Sequence, residues 1–175
     1  MSSEEWGKVA IVTVSDSAYN KVRVDRSGPV LVSAVINYGY DVVRQMIVAD
    51  EKSMLESALI ELCEQDIPLL LTTGGTGLSQ RDVTPEATTA VMDRPVPGMA
   101  EQMRRQGMAH TPLALLSRAV AGIRNRTLIV NLPGSPKGAV ESFESLVDIL
   151  PHALKVLREP FFHHDGDKKQ DDTAL

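Results

Sequence analysis

The sequence contains few aromatic residues and only one cysteine. Its 175 residues include one Trp, three Tyr and three Phe, which together make up 4% of the chain. The core must therefore be aliphatic and built mainly from Val, Leu, Ile and Ala, within an apolar content of 43%. Because Cys63 has no second cysteine to pair with, an intrachain disulfide and a thiolate metal site are both excluded. Cys63 lies in an apolar helical stretch, and we expect it to be a buried structural residue.

An excess of positive charge is also missing, as is any long hydrophobic run. The formal net charge of −5 at pH 7 gives no electrostatic reason to expect nucleic acid or an anionic membrane as a partner. A ligand that carries phosphate would have to be captured by local donors. No apolar run approaches the roughly 20 residues of a membrane-spanning helix, and no basic and apolar leader follows Met1. We therefore expect a cytoplasmic protein.

The rest of the chain alternates between segments typical of strands and of helices. We predict a loop over 16–27, and strands over 8–14, 41–48, 67–73, 118–123 and 127–131. The predicted helices cover 27–37, 51–64, 84–92, 98–106, 112–116 and 136–157, and Ser27 is the predicted N-cap of the first of them. This alternation predicts a three-layer α/β/α fold with a mainly parallel sheet. We expect one domain over residues 1–158 and a disordered C-terminal tail over 159–175, which is polar and lacks periodicity.

The most informative segment, residues 70–87, joins a buried strand to a helix through a glycine-rich turn. That turn consists of Gly74, Gly75, Thr76 and Gly77. Glycines occur where a backbone turns sharply or approaches a ligand closely. Thr84 is the predicted N-cap of the next helix, with Pro85 at its first position, and a helix N-terminus after such a turn is typical of phosphate sites. The alternative is a tight turn in which the glycines serve geometry alone, since this is neither a Walker loop nor a dinucleotide motif.

Polar segments follow several of the predicted strands. Ligands of open α/β sheets bind beyond the carboxyl ends of strands, so we expect these segments to meet at one edge. They are Ser15-Asp16-Ser17, Ala49-Asp50, Thr73–Gly77 and Asn131–Ser135. The last of these is explained equally well as a rigid turn followed by a helix that Ser135 caps.

Two acidic residues of this edge, Asp50 and Asp82, could share Mg²⁺, which prefers a few carboxylates together with water and substrate phosphates. Arg81, beside Asp82, supplies a cation for phosphate. Each acidic residue also has a simpler explanation when taken alone. Asp50 could cap the following helix, and Asp82 could form an ion pair with Arg81.

In this order, the motifs resemble those of the molybdopterin adenylyltransferases, the MogA-like enzymes of molybdenum cofactor synthesis related to one domain of gephyrin and of the plant Cnx proteins. The resemblance extends from Lys8 to about Arg158. It rests on Val12–Ser17, Asp25–Pro29, Ile47–Glu51, Leu70–Ala87, Pro97-Gly98 with Glu101, Leu116–Arg118 and Asn131–Pro136. The ordered series is more specific than the Gly-Gly-Thr-Gly loop, which other families of the superfamily share.

The resemblance implies adenylyl transfer from Mg-ATP to the terminal phosphate of molybdopterin, with release of pyrophosphate. The nucleophile then belongs to the substrate, which agrees with the absence of a Ser-His-Asp set in the sequence. Asp50 and Asp82 match the acidic catalytic positions and would hold Mg²⁺, with Asp16 as a third contributor, and no tightly bound cofactor is expected. The implied nucleotide- or pterin-phosphate-binding residues are Ser15, Asp16, Ser17, Gly74, Gly75, Thr76, Gly77, Arg81, Ser117, Arg118, Asn131, Pro133, Gly134 and Ser135. Arg118 has the alternative of pairing with a surface acid.

The resemblance also implies a homotrimer, with ATP and molybdopterin as ligands and a molybdate-insertion enzyme as a candidate partner. Segment 92–116 agrees with assembly, because it is richer in apolar residues than a short excursion beside the sheet requires. These residues are Met92, Val96, Met99, Met103, Met108, Leu113, Leu115 and Leu116. The alternative is that they only cover the edge of the sheet.

Two other functions remain open at this point. One is that of a non-catalytic paralogue, which binds molybdopterin or acts as a scaffold. The other is that of a nucleotide pyrophosphatase of the same superfamily.

Overall fold

In a computed structural model that describes residues 6–159, six strands form one sheet. The strands are β1 (Lys8–Val14), β2 (Asp41–Val48), β3 (Leu69–Thr73), β4 (Arg94–Pro95), β5 (Ala121–Arg124) and β6 (Thr127–Leu132). Their order across the sheet is β2-β1-β3-β6-β5-β4. The pairs formed by β2, β1, β3 and β6 are parallel, whereas β5 and β4 are added in antiparallel fashion. The predicted mainly parallel sheet is confirmed.

Helices cover both faces of this sheet. They are α1 (Asp16–Tyr19), α2 (Ser27–Asn37), α3 (Lys52–Glu64), α4 (Thr84–Val91), α5 (Pro97–Gly107), a 3-10 helix (Pro112–Leu116), α6 (Pro136–Glu144) and α7 (Leu150–Arg158). One core lies between the sheet and helices α2, α5, α6 and α7, and the other lies under α3 and α4. The predicted three-layer α/β/α fold is therefore confirmed. Within residues 6–159, no helix has the length and apolar character needed to cross a membrane.

Strand β1 shows how the sequence serves both cores at once. Val9 and Ile11 face one core, while Ala10 and Val12 face the other, as the two-residue period of a strand requires. A strand buried on both faces needs a continuous apolar run, which explains the sequence of β1. Cys63 is buried as predicted, and burial raises the pKa of its thiol to about 11.

Three predictions about the ends of elements are wrong. Segment 16–27 begins with the short helix α1, because the Ser15 hydroxyl oxygen accepts a hydrogen bond from the Ala18 amide. Ser27 is the first residue of α2 rather than its cap, since the Asp25 carboxylate accepts from the Ser27 and Gly28 amides. Thr84 is likewise the first residue of α4, and its hydroxyl donates to the Gly74 carbonyl at 2.9 Å.

The helix predicted over 136–157 is divided into α6 and α7. Ser135 caps α6 as predicted, because its hydroxyl oxygen accepts from the Gly138 amide at 3.1 Å. Pro151, near the start of α7, has no amide to donate and would clash with a helical carbonyl four residues earlier, so one continuous helix cannot form. The strand predicted over 118–123 starts only at Ala121, and the two residues of β4 were too few to be predicted. Apart from Glu159, the tail predicted over 159–175 lies outside the described residues.

Asn131 connects three segments at the centre of the fold. Its side chain has no exposure to solvent. The side-chain amide donates to the hydroxyls of Thr72 on β3 and Thr88 on α4, at 3.1 and 2.9 Å, and its oxygen accepts from the Val120 amide at 3.3 Å. Both ends of the amide are thus satisfied inside the protein. The prediction that Asn131 binds phosphate or pterin is therefore corrected to a structural role.

We predict that Asn131→Leu lowers the free energy of unfolding by about 2–4 kcal/mol, because it leaves three buried polar groups without their partner. Urea denaturation measures this loss. Asn37→Leu, at an exposed position that ends α2, is the matched control and should change stability by less than about 0.5 kcal/mol. Equal stability of the two variants would contradict the structural role.

Candidate functional site

The polar segments predicted to meet at one edge of the sheet do so. The carboxyl ends of β1, β2, β3 and β6 border a polar cavity of about 870 Å³. Its walls include seven of the predicted site residues, which are Ser15, Ser17, Asp50, Gly74, Gly75, Asp82 and Gly134. We call this space the polar cavity.

Asp16 and Asp50 tie two loops of this edge together. Each residue lies two positions beyond its strand, Asp16 after β1 and Asp50 after β2. The Asp16 amide donates to Asp50 Oδ2 at 2.7 Å, and the Asp50 amide donates to Asp16 Oδ1 at 3.0 Å. This reciprocal pair uses one oxygen of each carboxylate. Asp50 is therefore held by Asp16 and is not the cap of the following helix, which has no side-chain cap.

The two carboxylates differ in their electrostatic environment. Hydrogen bonds from the Arg81 guanidinium lower the pKa of Asp16. Burial raises the pKa of Asp50, and the negative charges of Asp16 and Asp82 raise it further. Asp50 therefore carries a partly buried negative charge among other carboxylates. This environment favours a bound cation.

The glycine loop is shaped by close contacts with its surroundings. Gly74 and Gly75 have φ angles of +107° and +63°, which side-chain-bearing residues rarely adopt. A Cβ on Gly74 would lie 2.2 Å from the Val14 carbonyl oxygen, so this glycine is required by the backbone of β1. A Cβ on Gly77 would lie 3.0 Å from Asp82 Oδ2. Gly74 is therefore needed for the backbone to pass close to β1. Gly77 leaves space for the carboxylate of Asp82, a candidate catalytic residue.

Arg81 is bound to acidic residues that sequence reasoning did not assign to it. Its guanidinium donates to Asp16 Oδ2 from Nη2 at 2.7 Å and to Glu51 Oε1 from Nη1 at 3.0 Å. Asp82 does not pair with Arg81, because its Oδ2 accepts instead from the Ser79 amide at 2.8 Å. The simpler explanation of Asp82 as the ion-pair partner of Arg81 is therefore wrong.

Arg118 fastens the glycine loop to α4. It donates from Nε to the Gly77 carbonyl at 2.7 Å and from Nη2 to the Asp82 carbonyl at 2.5 Å, and it forms an ion pair with Glu86. The alternative that Arg118 pairs with a surface acid is thus what the structure shows. Its position fixes the backbone on both sides of Arg81.

A second cavity lies on the other side of the glycine loop. It has a volume of about 490 Å³ and mostly apolar walls, and we call it the apolar cavity. The predicted residues that line it are Thr76, Gly77, Ser117, Pro133 and Ser135. Sequence reasoning missed Leu78, Leu113 and Leu116 in its wall. From the sequence, Leu113 and Leu116 were counted in the apolar segment 92–116, either at a subunit interface or over the edge of the sheet. The available signal was the position of Leu116 next to Ser117 in the motif Leu116–Arg118.

Sequence reasoning also missed Arg23 and Arg26, which line the polar cavity. They flank Asp25 in the predicted loop 16–27, and although Arg26 belongs to the motif Asp25–Pro29, neither arginine was predicted to bind a ligand. The presence of two arginines close together in that loop was a weak signal.

The donor set fits Mg²⁺ held jointly with a substrate. Across residues 6–159, no group of three or more His, Cys, Asp or Glu side chains is arranged to hold a metal ion. Three carboxylates line the polar cavity, and that of Asp25 accepts hydrogen bonds from Thr13, Ser27 and Gly28. The other two, Asp50 and Asp82, would need further oxygen ligands from phosphate and water to hold the ion. Mg²⁺ is commonly bound in this way, by one or two carboxylates and the phosphates of a substrate.

The chain is similar over most of its length to relatives named molybdopterin adenylyltransferase. It is 38% identical to the molybdopterin adenylyltransferase of Helicobacter pylori strain J99 over 152 residues, covering 85% of this chain and 86% of the relative. It is 37% identical to the enzyme of the same name from Escherichia coli K12 over 170 residues, covering 88% and 87%.

Solved structures show the same fold. The molybdopterin biosynthesis enzyme MoaB of Thermus thermophilus superposes with a TM-score of 0.82 at 45% identity, covering 89% of this chain and 99% of that one. A structure of MogA gives a TM-score of 0.81 at 39% identity, covering 86% and 99%. The family model described as "Probable molybdopterin binding domain" matches residues 10–152, which include every strand except the first two residues of β1. This chain belongs to that molybdopterin-binding family.

Proposed function

We propose that this protein is a molybdopterin adenylyltransferase of molybdenum cofactor biosynthesis. In the reaction, an oxygen of the terminal phosphate of molybdopterin attacks the α-phosphorus of ATP. The bond from that phosphorus to the β-phosphate oxygen breaks, and pyrophosphate leaves with the bond electrons. The observation that carries this proposal is the placement of two carboxylates, Asp50 and Asp82, in a cavity large enough for a nucleotide. The names of the relatives support the same activity.

The polar cavity is the proposed place of the phosphate chain. Asp50 and Asp82 would hold Mg²⁺ there, and the ion would neutralise charge on the phosphates. The protein then has no covalent step to perform, since the attacking oxygen belongs to molybdopterin. Its residues act by positioning, which accounts for most of the catalysis in phosphoryl transfer.

The apolar cavity is the proposed place of a planar ring, which both substrates carry. Its leucines offer apolar contact, and the polar residues Ser117 and Thr76 also line it. The glycine loop lies between the two cavities, because Gly77 borders the apolar one and Gly75 the polar one, and segment 133–136 also borders both. A ring and a phosphate chain of one ligand, or of two reacting ligands, can therefore meet across this loop.

The proposal is tested by incubating the purified protein with molybdopterin and Mg-ATP. Equal amounts of pyrophosphate and adenylylated molybdopterin are expected. Release of AMP and pyrophosphate from ATP without molybdopterin would favour the pyrophosphatase alternative. Binding of molybdopterin without turnover would favour the scaffold alternative.

The cellular setting is also part of the proposal. We place the reaction in the cytoplasm, where ATP is available. The adenylylated product would pass to a molybdate-insertion enzyme as partner.

The carboxylates give the first prediction for activity. Asp50→Asn and Asp82→Asn should each abolish adenylyl transfer, because the amide loses the charge that binds Mg²⁺. Without Mg²⁺, Asp50→Asn should also raise the melting temperature at pH 8 by about 2 °C, since it removes a poorly solvated charge while its oxygen still accepts from the Asp16 amide.

Calorimetry across pH checks the sign of this effect. The pKa of Asp50 is raised above its ordinary value of 3.8, so the wild type loses stability relative to the variant as pH rises through the folded-state pKa. The difference in melting temperature should close below about pH 4. Asp82→Asn protein with normal turnover, or a destabilised Asp50→Asn protein, would contradict the assignment.

The glycine loop gives a prediction that separates strain from site geometry. Gly75→Ala should destabilise the fold by about 1–3 kcal/mol, because the residue keeps a positive φ and its Cβ would lie 2.4 Å from Thr84 Oγ1. Gly77→Ala should cost less than about 1 kcal/mol yet reduce turnover, since its Cβ displaces the Asp82 carboxylate. Gly77→Val should reduce turnover further.

Gly98→Ala is the control for both glycine variants, because nothing lies within 4 Å of its added Cβ. Urea denaturation and the pyrophosphate assay are run on all the variants. The site assignment fails if Gly77→Ala turns over at the rate of Gly98→Ala.

We further propose that the protein forms a homotrimer. Within segment 92–116, Met99 and Met103 belong to the core. These two residues cover the sheet, as the alternative to a subunit interface predicted. Leu113 and Leu116 line the apolar cavity, whereas Met108 and Leu115 lie outside it and are 50% and 56% exposed. A second exposed apolar surface lies on the edge strand β2, at Val43 and Ile47. A cyclic assembly joins two different patches of neighbouring subunits, which suits this pair of surfaces.

Sedimentation equilibrium at micromolar concentration tests this assembly. A mass three times that of the 19.0 kDa chain is expected for the wild type, and a lower mass for Val43→Glu or Leu115→Glu. Both substitutions lie on exposed side chains, so the fold should be retained. A clean monomer mass for the wild type would rule the trimer out.

A further inference from the structure

The arginines predicted from the sequence to contact phosphate are already engaged within the protein. Arg81 binds Asp16 and Glu51, and Arg118 binds Glu86 together with two backbone carbonyls. Each would have to give up charged partners before it could bind a nucleotide. The proposed reaction nevertheless needs cations beside the phosphates, because the net charge of −5 supplies no general attraction.

Two other arginines border the polar cavity and are available. Arg23 and Arg26 both line it and both are exposed. Among the residues that the structure describes, neither side chain has an ion-pair partner within 4.0 Å or is part of a side-chain hydrogen bond. They share the cavity wall with Asp50 and Asp82, so cationic and anionic groups face one space.

The loop that carries these arginines is anchored by Asp25, which lies between them. Asp25 Oδ2 accepts from the Thr13 hydroxyl of β1 at 2.7 Å, and Oδ1 accepts from the amides of Ser27 and Gly28 at 3.0 Å each. Gly28 cannot carry a side chain here, since a Cβ would lie 2.3 Å from Asp25 Oδ2. The Asp25 carboxylate accepts from Thr13, Ser27 and Gly28 and forms no ion pair with Arg23 or Arg26.

A second contact fixes the approach to this loop. The amides of Val22 and Arg23 both donate to the Ser17 carbonyl, at 2.8 and 3.0 Å. The backbone is therefore held at both ends of the short stretch between α1 and α2, while the arginine side chains extend from it. A fixed backbone that presents exposed guanidinium groups suits the capture of a polyphosphate, because the guanidinium fork can bind phosphate oxygens in pairs.

We propose that Arg23 and Arg26 bind the β- and γ-phosphates of the nucleotide and thereby select a triphosphate over a monophosphate. This inference rests on the proposed function for the identity of the ligand. The carboxylates lie at the partly buried floor of the cavity, whereas the two arginines lie at its exposed rim. Phosphates that leave as pyrophosphate are best held at the rim, where release into solvent is direct.

Isothermal titration calorimetry with ATP and AMP, each with Mg²⁺, tests the proposal. In the Arg23→Ala/Arg26→Ala double variant, ATP should bind at least about tenfold more weakly, the loss expected for hydrogen bonds to charged groups. AMP affinity should change by less than about threefold. Arg94→Ala is the matched control, because Arg94 is exposed on β4 at the opposite edge of the sheet from β2. An unchanged ratio of ATP to AMP affinity in the double variant overturns the inference.

Inorganic tripolyphosphate with Mg²⁺ is the second probe, because it contains the phosphate chain without adenosine. The wild type and Arg94→Ala should bind it, and the double variant should lose at least about tenfold in affinity. No binding by the wild type, or equal binding by the double variant, overturns the inference. If this binding behaves as expected but molybdopterin is not adenylylated, the proposed function fails and the polyphosphate site stands. Melting temperatures confirm that the exposed substitutions leave the fold intact.

Discussion

The candidate site depends on the reciprocal hydrogen bonds between Asp16 and Asp50. Each backbone amide donates to the other residue's carboxylate, at 2.7 and 3.0 Å, just beyond the ends of two adjacent parallel strands. Parallel strands end at the same edge of a sheet, but their loops diverge unless something joins them. This pair joins them and occupies one oxygen of each carboxylate in doing so. The second oxygen of Asp16 then receives Arg81, while Asp50 is left with its charge facing the polar cavity.

At Asp50, the negative charge that would bind a cation also lowers the stability of the fold. Burial and neighbouring carboxylates raise the pKa of Asp50, which means that its ionised form costs folding free energy. The cost is tolerated because the surrounding sheet is held by two aliphatic cores and by the Asn131 network. A bound cation would remove the cost when the substrate arrives. Strain of this kind, concentrated at one point of an otherwise regular fold, is common at functional sites.

Local sequence patterns were enough to predict the fold, and they also located the edge of the sheet where the site lies. Strands β1 and β2 have the predicted bounds of 8–14 and 41–48. Such bounds can be predicted because the local pattern of apolar residues indicates where a strand begins and ends. The partners of charged side chains were harder to predict. Arg81 was predicted to bind phosphate, with an ion pair to its neighbour Asp82 as the alternative, but it binds Asp16, which is 65 positions away. Such a contact depends on how two loops approach each other in the folded protein, so the periodic pattern of the sequence does not predict it.

The same limit explains why Arg23 and Arg26 were missed and what distinguishes them from the other arginines. An arginine that holds two loops together must be paired within the fold, as Arg81 and Arg118 are. An arginine that binds a substrate must instead lack such a partner before the substrate arrives, since each internal ion pair would compete with the phosphate. Asp25 makes this possible for its neighbours, because its carboxylate is used by Thr13 and by the start of α2. An acidic residue between two basic ones therefore serves to keep both of them available.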